Sequence, residues 1–316
     1  MQLREEWPTL ALLVAVYGAF AVLTLYAPLL PSALLVICLA LVIAQHSSLQ
    51  HEVLHGHPFK APWLSDLTVF PALGLFVPYL RFKDTHLAHH YDANLTDPYD
   101  DPETNFLDQE IWERLPAPVR RLAELNNTLL GRMVFGPAIS LALFYWGDLR
   151  AMLRGDGRIW RSYAEHGMGV ACVLIWVVAI CQVPLWSYLL AAYLGMSLLK
   201  IRTFLEHQAH ERAAARSVII EDRGPLALLF LNNNYHAVHH AHPRVVWHKL
   251  PGLYQSKREA FLRRNGGYSY ASYAEVIGLF LLRAKDPVAH PMWTRGNRNE
   301  GVEGSVEMHE VGRQAG

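Results

Sequence analysis

"SALLVICLALVIAQHSSLQHEVLHGHP", residues 32–58, passes from a long uncharged apolar segment directly into a cluster of histidines. A helix rises about 1.5 Å per residue and bilayer hydrocarbon is about 30 Å thick, so the first part has the length and polarity of a membrane crossing. The second part contains His51-Glu52-Val53-Leu54-His55. That is the H-E-x-x-H spacing with which zinc proteases hold a metal on one helical face while the glutamate activates water. A third histidine, His57, follows at once. The stretch therefore reads either as a hydrolytic zinc site or as one corner of a larger metal centre at a membrane surface.

Working outward, residues 7–50 contain no Asp, Glu, Lys or Arg, and neither do residues 167–199. Each run is long enough for two crossings, and each is broken where a hairpin would turn: at Pro28 and Pro31, and at Pro184. Four transmembrane helices follow, at about 9–27, 32–48, 167–182 and 185–199. The first run is too long for a signal peptide and lacks a small-residue cleavage site. Neither turn carries charge, so every Lys and Arg can lie on one side. The positive-inside rule places both termini and the polar segments in the cytoplasm, with Arg150, Arg154, Arg158 and Arg161 just before the third span.

The expected fold is an all-α integral membrane protein: two transmembrane hairpins under a cytoplasmic helical cap made of residues 49–166 and 200–294. Apolar stretches 67–80 and 135–146 are short and proline-broken, which suits interfacial or re-entrant segments. Residues 295–316 are polar and glycine-rich and read as a disordered tail. Cys38, Cys172 and Cys181 all fall in the predicted spans, as small apolar residues rather than disulfide partners or ligands. With 28 basic and 28 acidic residues the chain has no net charge, which argues against nucleic-acid binding.

Fourteen of the 17 histidines fall in four windows, 46–57, 86–90, 207–210 and 236–248, a clustering that needs a chemical cause. His86, His89 and His90 repeat the H-x-x-H-H spacing of His236, His239 and His240. Positions i, i+3 and i+4 share a helical face, so each box is expected to offer three imidazoles to one centre. His51 and His55 add two. If the second and fourth helices continue past Ser48 and Lys200, they carry His51, His55 and His207 to the same membrane face. Eight or nine imidazoles exceed the roughly four ligands of one zinc ion and suit two first-row ions such as iron. A zinc protease would need a distant acidic ligand and would have no use for the two later boxes.

These boxes resemble those of the membrane fatty acid desaturase superfamily, non-haem di-iron enzymes, and specifically its bacterial branch; the likeness runs over residues 46–243. The resemblance implies His51 and His55 as the first box, His86, His89 and His90 as the second, and His236, His239 and His240 as the third. A ninth ligand comes from His207, nearer the helix end, or from His210. In the first box His57 is the alternative to His55. The resemblance further implies two iron ions, O₂ as co-substrate, and hydrogen abstraction from an unactivated C–H bond. The expected product is a double bond in an acyl chain or lipid-like substrate; the alternatives are hydroxylation, or desaturation of a small amino-acid-derived metabolite. No cytochrome b5-like segment is read, so electrons are expected from a separate ferredoxin, rubredoxin or cytochrome b5-like carrier with its reductase. The expected setting is the lipid of a bacterial inner membrane, with the metal site facing the cytoplasm. A metal transporter is the rival reading, but its spans would carry charged or polar ligands.

Other polar residues have less specific expectations. Glu52 is read as a carboxylate that orients an imidazole or as surface polarity, and His46 as an interfacial histidine that could bond the site. Asn233 and Asn234, with Asn232, either hydrogen-bond imidazoles or form the turn into the third box. The acidic stretch 92–103 is read as a solvated loop shaped by Asp97-Pro98 and Asp101-Pro102.

Overall fold

The computed structural model describes residues 2–91 and 94–293, with side chains from Glu5 onward. The tail expected at 295–316 lies outside the described residues. Helix α1, Gln2–Leu25, turns through Ala27–Leu29 into α2, Ser32–Leu54, which starts immediately after Pro31. Proline suits the start of a helix because the N–H it lacks would have no intrahelical partner there. α2 is unbroken for 23 residues and so carries the apolar run of the span directly into the first histidine box.

α3, Tyr79–Tyr91, presents the second box. α4, Gly136–Leu153, follows, and then α5, Gly157–Leu174, which continues as a π-helix over Ile175–Ile180. After Pro184 comes α6, Leu185–Thr203, and the third box lies on the short α7, His236–Ala241.

Three helices among the described residues are long and apolar enough to cross a membrane: Glu5–Leu25, Ser32–Leu54 and Gly157–Ile180. The third begins ten residues earlier than the span expected at 167, because the Asp156 side chain caps it by accepting from the Arg158 N–H at 3.0 Å. The fourth expected span falls on α6, whose last turn carries Lys200 and Arg202.

α1, α2, α5 with its π-helical continuation, and α6 share an apolar core that includes Phe20, Leu39, Ile43, Val177, Tyr188 and Ala191. Close approach of α2 and α6 depends on Gly195. A Cβ there would lie 3.0 Å from Ile43 and 3.1 Å from the Ala40 carbonyl. Outward residues such as Val14, Ile37, Ile175 and Trp186 stay exposed, as lipid-facing side chains would.

Two short apolar stretches behave differently from one another. Residues 67–80 run mostly as loop and dip into the core, where Leu73 and Leu75 are buried and the Leu73 carbonyl accepts from the Tyr188 hydroxyl at 2.7 Å. Residues 135–146, expected to be interfacial or re-entrant, form most of α4, which is not among the helices long and apolar enough to cross a membrane. That helix is drawn into the fold by buried Asp148, which accepts from Arg81 of α3 at 2.8 Å and from Tyr163 of α5 at 3.0 Å.

The fold is not wholly helical. Ile219–Ile220 pairs in parallel with Ser269–Tyr270. This two-residue ladder steadies α7, which at six residues is too short to persist alone. The Ile220 N–H donates to the Asn234 carbonyl at 2.8 Å, and the Ala237 N–H to the Val218 carbonyl at 2.9 Å.

Candidate metal centre

The last turn of α2 supplies His51, and its capping residue is His55. α3 supplies His86, His89 and His90, and α7 supplies His236, His239 and His240. His207 lies just past α6, where its backbone bridges to Ser217. From these elements two groups of nitrogens assemble, with all members of each group within 4.8 Å of one another. One contains His51, His55, His86, His90 and His239; the other contains His89, His207, His236 and His240.

Each H-x-x-H-H box was expected to serve one centre, and the structure divides both. His86 and His90 go to the first group and His89 to the second; His236 and His240 go to the second and His239 to the first. Helical geometry explains the split. With 3.6 residues per turn, i and i+4 diverge by about 40° and stay together, whereas i+3 and i+4 diverge by about 100°. The two groups touch through His90 and His240, whose rings stack with centroids 4.1 Å apart.

A metal ion fits both groups. In the second, Nε2 of His207 lies 2.9 Å from Nε2 of His89 and 3.1 Å from Nε2 of His236, which lies 3.0 Å from Nε2 of His240. A neutral imidazole nitrogen offers one proton or one lone pair, so four such atoms can form at most two hydrogen bonds, and three contacts are present. Converging lone pairs on a shared cation accounts for all of them. In the first group Nε2 of His51, His55 and His86 is buried with no hydrogen-bond partner. Such orphaned buried atoms are costly unless something binds them. Five imidazoles also exceed what tetrahedral zinc accepts.

The sequence matches the family model for fatty acid desaturase over residues 25–272. The chain belongs to the fatty acid desaturase family. A comparison with curated proteins gives no match. The part of the chain that matches the desaturase family contains all nine clustered histidines.

In this desaturase-family site the outward nitrogens are held as deliberately as the inward ones. Nδ1 of His89 donates to Asp101 at 2.7 Å, and Nδ1 of His86 to Glu103 at 2.9 Å. Nδ1 of His236 donates to Asn233 Oδ1 at 3.2 Å, with Glu206 at 3.7 Å. Nδ1 of His207 lies 3.3 Å from the Ser217 hydroxyl. A carboxylate or amide oxygen on Nδ1 fixes the tautomer, so that Nε2 keeps its lone pair for the metal. Asp101 and Glu103 correct the reading of 92–103 as a solvated loop: Asp101 is buried, and the loop brings its carboxylates to the second box. Glu206, paired to Arg202 at 2.9 Å, was not singled out in the sequence. The usable signal was chemical, since buried imidazole ligands need acceptors and these acids flank the boxes.

Electrostatics agree with a cation-binding role. Burial, then the charges of neighbouring imidazoles, holds His55, His207, His236, His239 and His240 far below the ordinary histidine range, and His90 down at about 3. These rings are neutral at pH 7 with lone pairs available. His89 is the exception. Burial pushes it down, but the hydrogen bond to Asp101 and the Glu103 and Asp101 charges lift it to about 9.

The remaining candidates lie off the two groups. His57 Nδ1 donates to buried Glu6 at 2.7 Å, with Glu52 3.7 Å from its other nitrogen. Glu52 accepts from the Trp247 N–H at 3.0 Å, so it ties the end of α2 to the segment after α7. His46 bonds the Tyr17 hydroxyl at 3.1 Å. His210 accepts from the Arg212 N–H at 3.0 Å. Asn233 bonds an imidazole, whereas Asn234 donates to the Ile220 and Asp222 carbonyls and so shapes the turn into α7.

Proposed function

We propose that this chain is an O₂-dependent di-iron desaturase acting on an acyl chain or similarly lipid-like substrate. The observation that carries the reading is the division of nine imidazoles into adjacent groups of five and four, too many for one ion and of the donor type iron accepts. His51, His55, His86, His90 and His239 would hold one iron, and His89, His207, His236 and His240 the other. Irons bound there supply the redox chemistry by which O₂, two electrons, two protons and a saturated C–C unit become two waters and a C=C bond. Asp101, Glu103, Asn233 and Ser217 orient the rings, and burial of the imidazoles excludes bulk water from the reacting C–H bond. Electrons come from a separate one-electron carrier and its reductase.

In this reading α1, α2, α5 and α6 are four spans in two hairpins. Lys200 and Arg202 at the end of α6 favour placing that end, and the histidines beyond it, in the cytoplasm of a bacterial cell. The exposed apolar outer faces of the helices support the membrane setting.

The test is metal analysis of the purified chain together with lipid profiles of cells with and without it. Two irons per chain and a new acyl double bond are expected; His89→Ala should lose the iron of the second group, His239→Ala that of the first, and each should lose the double bond. A single zinc would remove the di-iron reading, and a hydroxylated lipid in place of the alkene would remove desaturation.

A further inference from the structure

A cavity of about 310 Å³ opens on the side of the chain that carries the third box, lined among others by Ser217, Ala237, His240, Phe261, Arg264 and Asn265. It meets the metal centre at the His240 ring and at Ser217, whose hydroxyl lies 3.3 Å from His207 Nδ1; of the nine clustered histidines His240 alone lines it. The Nε2 atom of that ring faces the cluster, 3.0 Å from Nε2 of His236, so a molecule in the cavity sits behind the imidazole rather than in front of a metal ion. A C–H bond cannot be reached through an intervening ligand. An electron can cross one.

The rim of the cavity is cationic. Arg264 lines it and is exposed. The Arg212 guanidinium stands 3.2 Å from where a Cβ on Gly266 would lie, next to the lining residue Asn265. The Arg216 guanidinium donates to the carbonyl of Leu95, another lining residue, at 2.6 Å. Among the described residues no Asp or Glu lines the cavity. The rim is also low, because Ala213 and Ala214 are exposed and present only methyl groups. A convex surface can therefore seat on it, with Arg212 and Arg264 at its edges.

We propose that this face is the docking site of an acidic one-electron carrier protein, which passes its electron to the second cluster through the edge of His240. The assignment rests on the di-iron reading. Two reduced carriers each lose one electron per turnover, and the pair enters the balance of O₂, two protons and two abstracted hydrogens given above; no bond forms between carrier and chain. Opposite charge at the rim speeds encounter and sets orientation, and salt weakens both effects.

The test measures binding of an acidic [2Fe–2S] ferredoxin to the detergent-solubilised full chain. Arg212→Glu with Arg264→Glu is expected to weaken binding at least about tenfold at low salt, with the difference vanishing near 0.5 M salt. Arg120→Glu with Arg121→Glu makes the same charge change at two other exposed arginines and is expected to shift binding less than twofold. Ala213→Trp, which raises the rim without altering charge, should weaken binding as well, and metal content checks that each variant is folded. Equal weakening by both charge pairs, no weakening by either, or no salt-sensitive binding to the wild-type chain would overturn the assignment. So would stoichiometric seating of a small carboxylate such as succinate in the cavity with ferredoxin binding unaffected. A wild-type chain that holds one zinc yet binds ferredoxin through these arginines would remove the di-iron reading and leave the docking face standing.

Discussion

Asp101→Asn isolates the part played by a carboxylate that touches no metal. Asp101 accepts three hydrogen bonds from a buried position: Oδ1 from His89 Nδ1 at 2.7 Å and from the Glu103 N–H at 2.9 Å, and Oδ2 from the Thr96 N–H at 2.9 Å. All three partners are donors. Asparagine keeps the shape but has one oxygen, so its NH₂ group must face a donor whichever way the amide turns. Leaving one buried donor unmet costs about 1–3 kcal/mol, and loss of a carboxylate behind a ligating histidine typically weakens metal binding about 10–100-fold. At about 1.4 kcal/mol per tenfold the two figures agree. Iron retention against a graded chelator is the assay: one of two irons should leave at about 10–100-fold lower chelator strength than in the wild type. In a His89→Ala background Asp101→Asn should cause no further loss, because its route to the metal is already gone. Wild-type retention in Asp101→Asn, or additive loss in the double variant, would refute the reasoning.

Three further outcomes follow from contacts described above. His55→Ala should lose iron from the first group, whereas His57→Ala should keep both irons and lower thermal stability by leaving buried Glu6 without its partner; iron content of the two variants decides between them. Glu206→Gln leaves the buried Arg202 guanidinium without its counter-charge, a change that costs about 3–5 kcal/mol. A thermal unfolding shift worth less than about 1 kcal/mol would show that the pair is not buried as described. Gly195→Leu forces a side chain against Ile43 and the Ala40 carbonyl and should destabilise by about 1–3 kcal/mol or more, read from unfolding in detergent, with Gly195→Ala milder.

Much of the site was legible before any coordinates. The spacing of His86, His89 and His90 and of His236, His239 and His240 marks two boxes on helices, and the uncharged runs state where the spans lie; the full set came with the family resemblance, which left His55 against His57 and His207 against His210 open. How each box divides was not legible. Helical geometry turns His89 about 100° from His90, but that a separate group of nitrogens waits in each direction depends on where α3 lies against α7, and that is a tertiary fact. Asp101 escaped because Asp-Pro is ordinary turn chemistry; only burial distinguishes a carboxylate that orients a ligand from one that hydrates a loop. The full length of α4 was not read because its anchor, Asp148, lies beyond the apolar run at 135–146. The ladder of Ile219 and Ile220 is too short to leave a periodic signal.

Adjacent residues of α3, His89 and His90, serve different groups. The helix is thereby a shared axle: a rotation that draws donors tighter around one position swings those at the other outward. Moving α3 cannot adjust the two positions separately, so a change of ionic radius at one would be a mechanical input to its neighbour. What can be adjusted separately are the props behind the rings, Asp101 for one position and Glu103 for the other, both on the same loop.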